Sequence, residues 1–149
     1  MEKVIQIIQL LICLGFLIHF SYKDIKYQEV ENEPIILFLI IGIVFTTYNQ
    51  NIRSLLPFCL FWLILGLILW YSKSIGGADV KILAILPLFC LNDISNKYIA
   101  SVLFITLFVI FSGIYFIIAS LSRKKGYIPL VPVITITFII YEILVRMLK

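Results

Sequence analysis

Residues 4–20 have the sequence VIQIIQLLICLGFLIHF, and the polar run SYKDIK follows at residues 21–26. Apolar runs of about 17–25 residues are long enough to cross the hydrocarbon core of a bilayer as a helix. Lys3, just before this run, is also typical of a signal peptide, but no A-x-A-like cleavage site follows and further apolar runs come after it. We therefore predict that the first run is a retained transmembrane helix.

Five further apolar runs follow, separated by polar breaks. The six predicted spans cover about residues 4–20, 34–48, 55–71, 80–91, 99–121 and 127–147. The second and fourth are shorter than usual, and the fourth contains Pro87, which is typical of a re-entrant or half-buried helix. We predict an all-α membrane protein, a polytopic bundle of six transmembrane helices that forms a single domain over residues 1–149.

The composition agrees with a membrane protein and argues against several other classes. Of the 149 residues, 62% are hydrophobic and 13% are charged, with a mean hydropathy of +1.12. A soluble domain keeps about a quarter of its residues charged. The net charge of +4 is attributed to cytoplasmic Lys and Arg, and no basic surface for nucleic acid is predicted. Cys13, Cys59 and Cys90 form no C-x-x-C pair, so we predict buried apolar side chains, without a zinc site or disulfide framework.

The distribution of basic residues predicts that both termini lie outside the cell membrane. With six spans, the cytoplasmic side holds Lys23, Lys26, Lys73, Lys81, Arg123, Lys124 and Lys125, and the outer side holds Lys3, Arg53, Lys97, Arg146 and Lys149.

Two aspartates are expected to lie on the same membrane face. Asp24 follows the first predicted span and Asp79 precedes the fourth, so the two spans between them return the chain to its starting side. The third aspartate, Asp93, follows the fourth span and is expected on the opposite face. A carboxylate at the membrane boundary is costly unless it is solvated or paired, so it is a functional candidate. Two adjacent carboxylates can share one proton, which is the state that acid/base hydrolysis of a peptide requires.

Small residues surround Asp79 in the run GGADVK, residues 76–81. Gly76 and Gly77 permit positive φ angles and close approach of another chain, and Ala78 keeps that space open. The alternative is a loop turn with tight helix packing, because glycine pairs are common in loops.

Three stretches resemble the type IV prepilin peptidases and the related archaeal preflagellin peptidases. The run GGADVK resembles their G-x-G-D motif, and DIKYQEVEN, residues 24–32, resembles their first catalytic stretch, with Asp24, Asn32 and a basic Lys26 at matching positions. The run YIPLVP, residues 127–132, resembles the Ile-Pro-Phe-Gly-Pro run that opens their last helix.

The resemblance implies a polytopic aspartyl protease whose active site lies at the cytoplasmic membrane boundary. Such enzymes remove the short basic leader of type IV pilin, pseudopilin or archaellin precursors, and they need no cofactor. Asp24 and Asp79 correspond to the catalytic pair. Ala78, Glu31 and Val131 depart from the family pattern. Many bacterial relatives also carry a cytoplasmic cysteine-containing domain and an N-methylating activity, and this chain is expected to be a stand-alone peptidase without either.

Other polar residues near the two aspartates have more than one interpretation. Asn32 is at the position expected for a helix cap before the second span. Lys81 is expected either to hold a carboxylate charged or to extend towards lipid head groups. Glu29, Glu31 and Glu33 either attract a basic leader or form a solvated loop that balances nearby lysines.

Two other functions use the same features. A transport subunit would employ the acidic pair to carry protons or cations, although both carboxylates are expected at one face. A non-catalytic scaffold of a secretion assembly would not need either carboxylate. The sequence leaves the substrate, the pilus, secretion, competence or archaellum system, and the oligomeric state open.

Overall fold

A computed structural model describes residues 2–48, 52–72, 75–90, 97–121 and 129–147. All the regular secondary structure in these ranges is helical, which confirms the all-α class. The helices are α1 (Glu2–Tyr27), α2 (Asn32–Tyr48), α3 (Ile52–Tyr71), α4 (Gly77–Ile85), α5 (Pro87–Cys90), α6 (Lys97–Leu121) and α7 (Val131–Met147). Asp93 and the basic run at residues 123–125 lie outside the described residues, as do residues 127 and 128 of the YIPLVP run.

Helix α1 continues well past the apolar run, so the predicted end of this helix near residue 20 was wrong. The polar extension contains no Gly or Pro, and its inward-facing positions continue the helical period with Ser21 and the buried Asp24. Ser21 Oγ donates to the Leu17 carbonyl at 2.8 Å and lies 2.7 Å from Thr135 Oγ1 on α7. Asp24 is therefore held on a helix that packs against α7, rather than in a loop after a span.

Gln28 ends α1 in the left-handed region, with φ of 57°, and its N–H donates to the Asp24 carbonyl at 3.1 Å. A residue with a Cβ is strained in this conformation, whereas glycine at the position after a helix is not.

Replacing Gln28 with glycine should therefore stabilise the protein by about 1 kcal/mol. We expect the midpoint of thermal unfolding in detergent, followed by circular dichroism, to rise by roughly 2–4 °C for Gln28→Gly. Glu29→Gly is the control, because the exposed Glu29 does not have a positive φ. If the midpoint of Gln28→Gly is at or below that of the unmodified chain, the backbone at Gln28 is not strained.

The fourth apolar run forms two consecutive helices, α4 and α5, which meet at Leu86 and Pro87. Proline has no N–H and its ring displaces the preceding carbonyl, so one continuous helix is not maintained there. This agrees with the expectation of a short, interrupted segment. Most residues of α4 are buried, including Val80, Ile82 and Leu83, so α4 is the central element and packs between α2 and α3.

Glycines on α2 and α3 allow this central segment to approach closely. A Cβ on Gly42 would lie 2.9 Å from a ring carbon of Phe89 and 3.0 Å from a methyl of Leu88, both on α5. A Cβ on Gly66 would lie 2.9 Å from a methyl of Val80, the residue next to Asp79. Close helix contacts at small residues are common among membrane helices, where shape complementarity replaces a hydrophobic driving force.

Gly66→Val should push α4 away from α3 and destabilise the protein by about 1–3 kcal/mol, as overpacked sites do. Gly15→Val is the matched control, because it makes the same change in another helix where no atom lies within 4 Å of the added Cβ. Thermal unfolding in detergent should show a lower midpoint for Gly66→Val than for Gly15→Val. Equal midpoints would show that the close α3–α4 contact at Gly66 does not limit the stability of the protein.

Within the described ranges, three helices are long and apolar enough to cross a membrane by length and composition, namely Val4–Tyr27, Arg53–Tyr71 and Ile99–Ile118. The apolar helix Asn32–Tyr48 is shorter. Large apolar side chains such as Leu11, Ile64 and Phe116 are exposed on the three long helices. This surface suits a lipid environment, since lipid solvates apolar side chains that water does not.

Candidate active site

Asp24 is buried near the C-terminal end of α1, with 1% of its surface exposed. Its Oδ2 accepts a hydrogen bond of 3.0 Å from the backbone N–H of Val131, the first residue of α7. The first N–H groups of a helix have no carbonyl partner within that helix. The carboxylate of one helix therefore satisfies the first N–H of another, and this joins the end of α1 to the start of α7.

Asp79 is buried in the first turn of α4, with 2% of its surface exposed. Its Oδ2 accepts a hydrogen bond of 2.8 Å from the N–H of Gly76, the extended residue before the helix, which has φ of −78° and ψ of 157°. Because glycine has no side chain, only the Asp79 half of a capping box forms. Asp79 Oδ1 is buried and has no hydrogen-bond partner among the described residues.

The two carboxylates interact electrostatically although they come from different helices. Asp79 lies just before the predicted fourth span. Burial raises the pKa of its carboxyl group from 3.8 to about 6. The Gly76 N–H opposes this rise in pKa, and the negative charge of Asp24 adds to it. An aspartate with a pKa near 6 carries a proton far more often at neutral pH than an ordinary aspartate does. The pair can therefore hold one neutral and one ionised carboxyl group.

A sequence model of the type IV leader peptidase family matches residues 11–118. This range includes both aspartates and most of the chain. The chain belongs to the type IV leader peptidase family. No curated protein and no solved structure matches it. The match confirms the resemblance to this family; the GGADVK and DIKYQEVEN stretches lie within the matched range, and the YIPLVP stretch lies beyond it.

Gly77, two residues before Asp79, has little around it among the described residues of this family member. A Cβ on Gly77 would meet only the indole nitrogen of Trp70, at 3.8 Å, and Ala78 packs against the core. None of the described glycines has a positive φ, so the left-handed freedom considered for Gly76 and Gly77 is not used in this structure. The small size of Gly77 is therefore relevant to the space beside Asp79 rather than to an unusual backbone conformation.

Lys81 and Asn32 contact each other at the same end of the bundle. Lys81 Nζ donates to Asn32 Oδ1 at 2.6 Å, which joins the N-terminal half of α4 to the start of α2. Asn32 lies at the start of α2, as expected, but its side-chain oxygen faces a lysine from another helix. The sequence predicted that Lys81 either holds a carboxylate charged or extends towards lipid head groups, and neither prediction included the uncharged side chain of Asn32 as a partner. The contact keeps the Asp79-bearing turn close to α2.

The acidic residues after α1 are exposed. Lys23 Nζ lies 3.0 Å from Glu31 Oε1, and Glu29 and Glu33 are also exposed. This arrangement agrees with the solvated loop that balances nearby lysines, and exposed pairs of this kind contribute little to stability.

Two interactions of Asp24, one hydrogen bond and one electrostatic effect, were not anticipated from the sequence. Val131 was noted only as a departure from the family pattern, yet its N–H is bound by Asp24. Tyr115 on α6 lies within electrostatic reach of Asp24. Pro132 indicates a helix start near Val131, because proline is well tolerated in the first turn of a helix. No sequence pattern, however, indicates which carboxylate the first N–H of that helix will bind.

Among the residues that the structure describes, no group of three or more His, Cys, Asp or Glu side chains is arranged to hold a metal ion. What these residues do present is a pair of buried carboxyl groups beside an open glycine position, which is suited to acid/base chemistry on a bound chain.

Removal of the Asp24 charge should lower the pKa of Asp79, because that charge is one of the two causes that raise it. The pKa should stay above 3.8 in Asp24→Asn, since burial is the larger cause. Dicyclohexylcarbodiimide, an apolar reagent that adds to protonated carboxyls, reports this pKa through the pH midpoint of Asp79 labelling measured by peptide mass spectrometry.

Lys23→Gln is the control for this experiment, because it removes a partly exposed charge from the same end of α1 and should leave the midpoint nearly unchanged. An equal midpoint in Asp24→Asn and the unmodified chain would show that the two carboxyl groups do not interact.

Proposed function

We propose that this chain is a membrane aspartyl endopeptidase that removes the short basic leader from prepilin-like precursors, namely type IV pilins, pseudopilins or archaellins, at the cytoplasmic membrane face. The observation that carries the proposal is the electrostatic interaction of two buried carboxyl groups, Asp24 and Asp79, in a member of the type IV leader peptidase family. These two residues are the proposed catalytic pair.

The chemistry of the pair supports peptide hydrolysis. An ionised carboxylate can take a proton from water, while a neutral carboxyl can donate a hydrogen bond to the scissile carbonyl. The raised pKa of Asp79 favours this mixed state, because it keeps a proton on Asp79 closer to neutral pH than on an ordinary aspartate. The open space beside Gly77 suits an extended substrate strand, and Asn32 and Lys81 hold the turn that carries Asp79.

The proposed topology is a bundle of six spans with both termini outside and the site at the cytosolic face. The C-terminal end of α1 and the start of α7 meet through Asp24, and the starts of α2 and α4 meet through Lys81 and Asn32. This common end supports a site at one membrane face. There, water and a polar leader can reach the carboxyl groups while the apolar helix of the substrate stays in lipid.

Cleavage of a prepilin-like protein co-expressed with the chain tests the proposal directly. We expect the product without its leader, detected by mass, with the intact chain, and a loss of about 10²-fold or more in rate with Asp24→Asn or Asp79→Asn. Asn has nearly the same volume as Asp but cannot exchange the proton.

Asp93→Asn is the matched control, since it makes the same chemical change in the third aspartate and should leave cleavage intact. Normal cleavage in either Asp24→Asn or Asp79→Asn would remove that residue from the catalytic pair. Proton-linked uptake into vesicles without cleavage would replace the proposal with transport, and a secretion phenotype insensitive to both variants would indicate a scaffold.

A further inference from the structure

The two carboxyl groups differ in the partners of their oxygens. Asp24 Oδ2 accepts from Val131 N at 3.0 Å, and the Leu130 carbonyl accepts from the N–H groups of Val133 and Ile134 at 2.9 and 3.1 Å. Leu130 is thus the N-cap of α7, and Val131 is its first residue. An N–H at this position carries the partial positive charge of the helix start and has no carbonyl partner within the helix. It stabilises a negative charge on Asp24.

Asp79 also lies at a helix start, so proximity to a helix end does not distinguish the two groups. One oxygen of Asp79 accepts the Gly76 N–H, but the buried Oδ1 has no partner among the described residues. A charged oxygen without a hydrogen bond in a buried position is strongly disfavoured. A protonated Oδ1 is instead a donor available to a substrate carbonyl. The raised pKa of Asp79 agrees with this difference.

We propose, on the premise that the proposed function holds, that the Val131 N–H is a positioning group that keeps Asp24 ionised, which makes Asp24 the general base and Asp79 the general acid. Val131 acts through Asp24 and does not itself contact the reacting atoms.

Among the residues that the structure describes, the charged and titratable groups near Asp24 include Asp79 on α4 and Tyr115 on α6. Lys23 and Lys26 flank Asp24 in sequence on α1. Both lysines have other partners, because Lys23 pairs with Glu31 and Lys26 Nζ donates to the Tyr22 hydroxyl at 2.9 Å. The Val131 N–H donates directly to Asp24. Because a backbone N–H does not titrate, its stabilisation of the negative charge on Asp24 is constant across the working pH range.

The assignment gives a balanced hydrolysis. The water oxygen forms a bond to the scissile carbonyl carbon as one water proton passes to Asp24, and the proton of Asp79 passes to the carbonyl oxygen. The resulting diol then collapses: the carbon–nitrogen bond breaks, the proton on Asp24 passes to the leaving nitrogen, and a diol hydroxyl returns a proton to Asp79. One water and one peptide bond yield one acid and one amine, and both aspartates recover their starting states.

Val131→Pro tests the role of the N–H, because proline lacks this donor and is well tolerated as the first residue of a helix. Ionisation of Asp24 becomes less favourable without it, so the acidic limb of the pH profile of kcat/KM should move to higher pH by about one unit or more. The alkaline limb, which follows loss of the Asp79 proton, should stay in place.

Val131→Ala is the matched control, since it truncates the same buried side chain but keeps the N–H; both limbs should stay in place. Movement of the alkaline limb alone in Val131→Pro, or an equal movement of the acidic limb in both variants, would overturn the assignment.

Carbodiimide labelling of the unmodified chain tests the same assignment without turnover. Because Asp24 and Asp79 are equally buried, at 1% and 2% exposure, their relative labelling reports protonation rather than access. As the pH is lowered, Asp79 should be labelled before Asp24, and the reverse order would overturn the assignment. This result stands even if Val131→Pro does not fold. Failure to cleave any prepilin-like substrate would defeat the proposed function but leave the labelling order as an independent outcome.

Discussion

Buried carboxyl groups in a helical membrane protein depend on the supply of backbone N–H donors. Within a helix every N–H is used by a carbonyl four residues earlier, and lipid offers no replacement, so free donors exist only at helix starts. Asp24 uses the first N–H of α7, and Asp79 uses the N–H just before α4. This constraint explains why a pair of carboxyl groups in such a bundle lies at helix ends.

The packing of α4 against α2 and α3 places Asp79 within electrostatic reach of Asp24. Gly66 lets Val80 approach α3, Gly42 lets the following segment approach α2, and the contact between Lys81 and Asn32 holds the first turn. Asp24 reaches the same region because α1 packs along α7. Burial in this packing raises the pKa of Asp79, and the charge of Asp24 adds to the rise, so the arrangement of the helices favours a protonated Asp79.

The sequence predicted much of this arrangement, and its errors have identifiable causes. Hydropathy predicted the helical class and the interruption at Pro87, and the GGADVK and DIKYQEVEN stretches predicted the family. Hydropathy placed the end of α1 too early because the polar extension stays helical through its packing on α7. The partner of Lys81 was missed because a lysine side chain reaches several possible acceptors at a helix end, and only packing selects one of them.

The sequence by itself determined the fold class, the family and the identity of the two candidate carboxyl groups. All three follow from the lengths of the apolar runs, the polar breaks between them and the residue types at a few polar positions. Only the tertiary structure decided that the Val131 N–H binds Asp24, that Asp79 Oδ1 is buried without a described partner, and that the two groups interact. Hydrogen bonds and electrostatic effects depend on distance and burial. Those quantities arise from the packing of helices that lie far apart in the chain, and no local pattern specifies them.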